Sequence, residues 1–189
     1  MQITPTALPE VLEITPARFG DHRGFFSETW NRNALAEAGI DIDFCQDNHS
    51  LSAERHTLRG LHFQKPPHAQ DKLVRVLAGT ILDVAVDIRT GSPTYGQWVA
   101  VPLSAEQGNQ LLVPKGFAHG FLTLTPDAQV FYKCSDFYAP AADAAIRWDD
   151  PTLAIDWGVD ADDLTLSDKD RIAPSFDQIG TVFTYEAQA

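Results

Sequence analysis

Cysteine is scarce in this chain of 189 residues: Cys45 and Cys134 are the only two, and neither belongs to a CxxC pair. That argues against a disulfide framework and a cysteine-based zinc site, and both thiols are expected to be buried and reduced. Positive charge is also in short supply. There are 14 basic residues against 26 acidic ones, a net charge of −12. So acidic a surface repels nucleic-acid polymers and anionic membranes. A small anionic ligand is compatible with it only where the few cations converge. Long apolar runs are missing as well, so no segment reads as a membrane span. The opening MQITPTALPEV has neither the basic start nor the apolar core of a signal peptide. The expected compartment is the cytoplasm.

What is present reads as one domain over residues 1–189, with 44% hydrophobic and 21% charged residues. There is no internal repeat and no low-complexity tract. Short strand-like runs divided by Gly, Pro, Asn and Asp dominate. Strands are expected at Val11–Ile14, Gly24–Trp30, Asn48–Ser52, Leu58–Phe63, Lys72–Ala78, Ile81–Ile88, Gln97–Leu103, Gln110–Val113, Gly120–Thr125 and Gln129–Phe137. In ILDVAVDI the period of two sends Leu82, Val84, Val86 and Ile88 one way and Asp83, Ala85 and Asp87 the other. One early helix is expected over residues 32–38, capped by Asn31 and closed by Gly39. The polar segment from about Asp149 is expected to wrap the body as loops and short helices. So many closely spaced strands with so few helices predict an all-β fold, an antiparallel jelly-roll barrel of the cupin type, whose mouth offers a cavity.

The stretch from Gly108 through Pro114 and Gly116 to His119 resembles the second cupin motif, whose histidine often binds metal. The first motif has HxH and then a glutamate seven residues before a glycine. Here that region reads His62-Phe63-Gln64, and Lys72 stands seven residues before Gly79. A lysine ammonium is strongly unfavourable within a divalent-metal site, so no metal is expected. A fixed cation in a barrel suits another task, the stabilisation of a developing enolate oxygen.

Nine segments in order carry a wider resemblance: FGDHRGFFSETW (19–30), QDNHS (46–50), LRGLHFQ (58–64), KLVRVLAG (72–79), DVAVDIRTGSPTYG (83–96), VPKGFAHGF (113–121), YKCSDFY (132–138), IRWDDP (146–151) and LSDKDRIAPSF (166–176). Together they are similar to the dTDP-4-dehydrorhamnose 3,5-epimerase family. The resemblance implies a substrate, a dTDP-linked 4-keto-6-deoxy sugar, inverted at C3 and C5. Both carbons flank the C4 ketone, which acidifies their protons. Such chemistry needs a base, an acid on the opposite face and a group to hold the enolate oxygen; it needs no cofactor.

The resemblance implies His62 as general base, and a free imidazole pKa of about 6.5 suits that task. Asp170 would orient it, Tyr132 would be the acid, with Tyr138 its competitor, and Lys72 would sit by the C4 oxygen. Alternation supports an inward Lys72, on the face of Val74 and Val76. Asp83 is expected either to contact the site or to orient Lys72. Arg59, Arg23, His119 and Lys169 are the cations expected around the diphosphate and nucleotide. Phe26, Glu28, Gln46, Asp47, Asn48, Tyr138 and Asp143 are further expected contacts. The resemblance also implies a homodimer in which Arg23, Phe26 and Glu28 complete the neighbour's site. An unpaired edge such as FFSETW is compatible with that. Asp71 and Lys65 depart from the pattern, where neutral residues are expected, and bear on fine substrate contacts. The competing readings are a relative that inverts one carbon or takes another dTDP-keto sugar, a metal-dependent cupin enzyme, and a non-catalytic nucleotide-sugar binder.

Overall fold

The computed structural model describes residues 1–186. In chain order the strands are β1 (Gln2–Pro5), β2 (Leu12–Thr15), β3 (Phe19–Asp21), β4 (Gly24–Phe26), β5 (Gln46–Ser52), β6 (Leu58–Gln64), β7 (Lys72–Ala78) and β8 (Thr80–Asp87). Then follow β9 (Arg89–Thr90), β10 (Trp98–Ser104), β11 (Gln110–Val113), β12 (Phe117–Thr123), β13 (Ala128–Cys134), β14 (Asp143–Ala145) and β15 (Phe183–Thr184). Helix α1 covers Arg32–Glu37 and α2 covers Asp168–Arg171, with single 3-10 turns at Ala161–Asp163 and Phe176–Gln178. Two antiparallel sheets face each other as a jelly roll. One runs β1-β2-β11-β7-β13-β5 and the other β10-β8-β12-β6-β14.

The interior between the sheets is apolar over most of its length. Val74, Val76, Leu111, Val113 and Val130 from the first sheet meet Ile81, Ala85, Leu103, Phe117 and Phe121 from the second. Strand β8 alternates as its sequence predicts, yet both of its faces are buried. Val84, Val86 and Ile88, with Leu82 partly buried, pack outward beneath Leu153, Trp157, Leu164 and Phe176 of the C-terminal segment. Asp83 and Ala85 belong to the inner face. Burial of each large apolar side chain on that outer face is worth about 1.5–3 kcal/mol, which is what holds the C-terminal wrap in place. A third cluster, Ile14, Leu35, Ile40, Leu73 and Leu112, seats α1 on the outside of the first sheet. Asn31 Oδ1 caps α1 by accepting from the backbone N–H groups of Asn33 and Ala34.

Several expectations are corrected. The strand expected over Gly24–Trp30 ends at Phe26, where it pairs only with β3. Beyond it the chain turns to lay Trp30 edge-on against Phe44 and to offer the Thr29 carbonyl to Gln110. β13 stops at Cys134, three residues short of the expected Phe137. β12 begins three residues earlier than expected, at Phe117. Strands β1, β3, β9, β14 and β15 were not expected at all. Cys134 is buried as anticipated, but Cys45 is exposed; both are free thiols. Among the described residues no helix is long and apolar enough to cross a membrane.

The chain ends are joined by a charged knot under the barrel. Asp87 has no exposed surface and accepts from the Arg89 guanidinium, Ser92 and Thr94. Burial works to raise the Asp87 pKa, but those donors outweigh it and the net shift is downward. Arg89 also pairs with Glu10 and lies between the rings of Phe117 and Tyr185. It therefore links the N-terminal segment, the barrel floor and the C-terminal strand.

Candidate active site

One end of the barrel interior is polar. His62 comes from β6 on the five-stranded sheet, whereas Lys72 and Tyr132 come from adjacent strands β7 and β13 of the six-stranded sheet. All three line two adjoining cavities of about 180 and 200 Å³. Tyr132 and Cys134 lie opposite Val74 and Lys72 in the β13–β7 register, so these four residues share the inner face.

The local backbone brings His62 inward at a close crossing. Gly60 has a φ of +134°, and a Cβ there would stand 2.5 Å from the Gly120 Cα and 2.9 Å from the His119 carbonyl oxygen. Only glycine permits β6 and β12 to approach so closely. The crossing sets His62 opposite His119.

His62 Nε2 lies 2.6 Å from Asp170 Oδ1. Asp170 is buried on α2, where Ser167 caps the helix and donates its hydroxyl to Oδ2 at 2.8 Å. Burial works to raise the Asp170 pKa. The bond to His62, the charge of its ring, the Ser167 hydroxyl and Lys169 outweigh burial and leave the pKa lowered. An ionised carboxylate only accepts, so the proton of a neutral His62 resides on Nε2 and its lone pair on Nδ1.

On the facing wall, burial is the largest influence on Tyr132 and raises its pKa, so the group is a phenol near neutrality. Burial lowers the pKa of Lys72, and nearby carboxylates at Asp83 and Asp143 oppose that fall. Its Nζ is 3.5 Å from the His62 carbonyl oxygen. The mouth is built by Gln46, Asn48, Tyr138, Asp143 and Lys169, which line the first cavity, and by Arg59, which lines the second. Lys169 pairs with Asp143, and the Tyr138 hydroxyl is 3.4 Å from the same carboxylate.

Other expected residues lie elsewhere or are differently engaged. Arg23, Phe26 and Glu28 belong to the exposed β3–β4 segment and line neither cavity; Arg23 is paired with Asp21. Asp47 is on the outer face of β5, bonded to Lys133 at 2.9 Å. His119 lines the second cavity as expected, but it is largely buried there and its Nε2 lies 2.8 Å from Asp83 Oδ1. Asp71 is buried, accepting from the Ser135 hydroxyl and the Lys115 N–H, and Lys65 is exposed. Neither lines the cavities.

Ser50, Gln70, Phe121 and Ser167 line the cavities without having been expected there. Ser50, Phe121 and Ser167 stand in segments that carry the family resemblance, whereas Gln70 stands in none. Gln64, the cupin-frame position, has a role of its own. Its amide donates to the carbonyls of His68 and Phe137 and accepts from the Ala139 N–H, tying down the loop that carries Tyr138. A divalent metal does not fit this cradle. The Gln64 amide is spent on backbone, an inward ammonium stands at the glutamate position, and His119 Nε2 is committed to Asp83. Among the described residues no group of three His, Cys, Asp or Glu side chains could hold a metal ion.

The sequence matches, over residues 5–178, the model of a family described as dTDP-4-dehydrorhamnose 3,5-epimerase. This chain belongs to that family. Its activity is that of an isomerase. The Pseudomonas aeruginosa dTDP-4-dehydrorhamnose 3,5-epimerase is 51% identical over 177 residues, 93% of this chain and 96% of the relative. The Legionella pneumophila 3,5-epimerase, solved in complex with dTDP-4-keto-L-rhamnose, superposes with a TM-score of 0.93. It is 46% identical and the match covers 98% of this chain and 99% of that one. The family fold also serves a narrower reaction. ChmJ from Streptomyces bikiniensis, a 3'-monoepimerase solved with dTDP-quinovose, superposes at a TM-score of 0.87 with 36% identity, over 96% of this chain and 92% of that one.

Proposed function

We propose that residues 1–189 act as one catalytic domain that inverts both C3 and C5 of dTDP-4-dehydro-6-deoxy-D-glucose to yield dTDP-4-dehydro-L-rhamnose, without a cofactor. The observation that carries this reading is the division of His62 from Lys72 and Tyr132 across one cavity. His62 Nδ1 takes the proton from the carbon next to the ketone, with Asp170 fixing the ring. The electron pair moves into the C4 carbonyl, and the Lys72 ammonium stabilises the resulting enolate oxygen. Tyr132 returns a proton to the same carbon from the opposite face, which inverts it. Repetition at the second carbon completes the reaction. Arg59 and Lys169 supply cations at the mouth for the diphosphate, and Gln46, Asn48, Tyr138 and Asp143 surround the sugar and nucleotide.

Identity supports double over single inversion, being higher to the 3,5-epimerases above than to the monoepimerase. Incubation with dTDP-4-dehydro-6-deoxy-D-glucose in deuterated water, followed by NMR, tests it. Deuterium is expected at both C3 and C5 of the inverted product. Label at one carbon alone assigns a monoepimerase instead.

The working unit in this reading is a cytoplasmic homodimer. Phe19, Phe25 and Phe26 are 66%, 62% and 68% exposed on the β3–β4 hairpin. Three such rings on a two-stranded ribbon call for a cover. A second copy would provide it, and Arg23, Phe26 and Glu28 would then reach the neighbour's cavity. Sedimentation equilibrium is expected to show twice the 20.8 kDa of one chain. A single-chain species at micromolar concentration removes the shared site.

A further inference from the structure

The inner face of the five-stranded sheet holds a second imidazole–carboxylate pair that the reaction above does not use. Asp83 on β8 and His119 on β12 are bonded at 2.8 Å, and His119 in turn lies opposite His62 on β6. Asp83 has no exposed surface, and His119 is 6% exposed. The second carboxylate oxygen of Asp83, Oδ2, accepts no hydrogen bond among the described residues. Its strand neighbours on that face are Ile81 and Ala85, and Phe121 lies opposite it in register. A carboxylate buried with one bond costs several kcal/mol relative to water. Holding an imidazole in place requires only a neutral acceptor. The charge itself therefore calls for a function.

Lys72, on the inner face of the other sheet, lines the same cavity as His119. Asp143 on β14 is already shared by Lys169 and Tyr138, and Lys169 opposes the Lys72 charge. Cys134, opposite Lys72 on β13, is a neutral thiol because burial raises its pKa. Tyr132 is a neutral phenol. Asp170 is committed to His62 and Ser167, and His62 offers Lys72 its backbone oxygen. Asp83 is the carboxylate in this set whose buried oxygen accepts no hydrogen bond among the described residues.

We propose that Asp83 is a positioning residue, an internal counter-ion seated by His119 on the wall facing Lys72, which preforms the cationic wall that receives the C4 oxygen. The proposal rests on the enolate reading above. It reassigns His119 from phosphate contact to the anchoring of Asp83. Burial favours loss of the Lys72 proton, and the Asp83 charge opposes that loss.

Asp83→Asn keeps the shape and an acceptor for His119 but removes the charge. In protein carrying carbon-13 lysine, the Lys72 signal, assigned by its loss in Lys72→Met, is expected to titrate about one pH unit or more lower in Asp83→Asn than in the unaltered protein. The high-pH limb of kcat for isotope exchange should move down by the same amount, with KM within about twofold. An unchanged lysine titration, or a rate that falls equally at all pH values, overturns the proposal. Asp83→Ser is read identically if Asp83→Asn is unstable. A Lys72 signal that titrates below neutrality in the unaltered protein overturns it without any variant. Absence of isotope exchange in the unaltered enzyme defeats the enolate reading instead, while the lysine titration still reports whether Asp83 acts on Lys72.

Discussion

Replacement of His62 by Ala is expected to lower kcat by about 10³-fold or more while the affinity for the nucleotide sugar changes no more than a fewfold. The expectation follows from the division of labour in the cavity. The mouth residues Arg59, Lys169 and Tyr138 belong to other elements and do not depend on the imidazole for position. In the proposed reaction the contribution of His62 is confined to the proton it removes. Asp170 remains anchored in that variant by the Ser167 hydroxyl on α2. Deuterium incorporation should therefore vanish at both carbons together, since one ring serves both. Stopped-exchange NMR with saturating substrate, paired with calorimetric binding, separates the two effects. Exchange that persists at one carbon would identify a second base in the cavity. Loss of binding in parallel with turnover would mean that the ring holds substrate rather than reacting with it.

Legibility from sequence differed by element for physical reasons. β7 and β11 were bounded correctly because each is a compact apolar run closed by Gly, Pro or a charge, and each lies inside a sheet. β1, β3, β9, β14 and β15 have two to four residues, and their pairing is set by partners far away in the chain; β15 lies beside β9 only because the C-terminal wrap returns there. Local pattern cannot report such pairing. The face that Lys72 occupies was legible from alternation with Val74 and Val76. The partner of Asp83 was not. Residues 83 and 119 meet across two strands, and nothing in their spacing marks it. His62 and Asp170 are 108 positions apart, and only the family resemblance joined them before the structure did. Arg23, Phe26 and Glu28 illustrate the opposite limit. Their motif is plain, but they line neither cavity of the single chain, and the shared site proposed for a dimer has no geometry there to display.

Tyr132→Phe provides the sharper division between deprotonation and inversion. The variant keeps the ring that packs against Val74 and the barrel interior, and it keeps His62 and Lys72, so enolate formation should continue. Deuterium is expected to enter at one or both carbons with retained configuration, because the only remaining donor is His62 on the face from which the proton left. Inverted product should fall by about 10²–10⁴-fold, the usual worth of a positioned general acid. The effect is one of proton supply rather than charge. Burial holds the Tyr132 pKa above its ordinary value, so the side chain enters the reaction as a phenol and leaves it as a phenolate near the Lys72 ammonium. That phenolate must be reprotonated before the second carbon is inverted, and the Arg59 charge beside Tyr132 lowers the cost of holding it meanwhile. An unchanged yield of inverted product at both carbons would shift the acid to Tyr138, whose hydroxyl is already within 3.4 Å of Asp143 and whose ring is 56% exposed at the mouth. Complete loss of exchange along with inversion would instead show that the phenol helps to form the enolate, and that acid and oxyanion donor are one group.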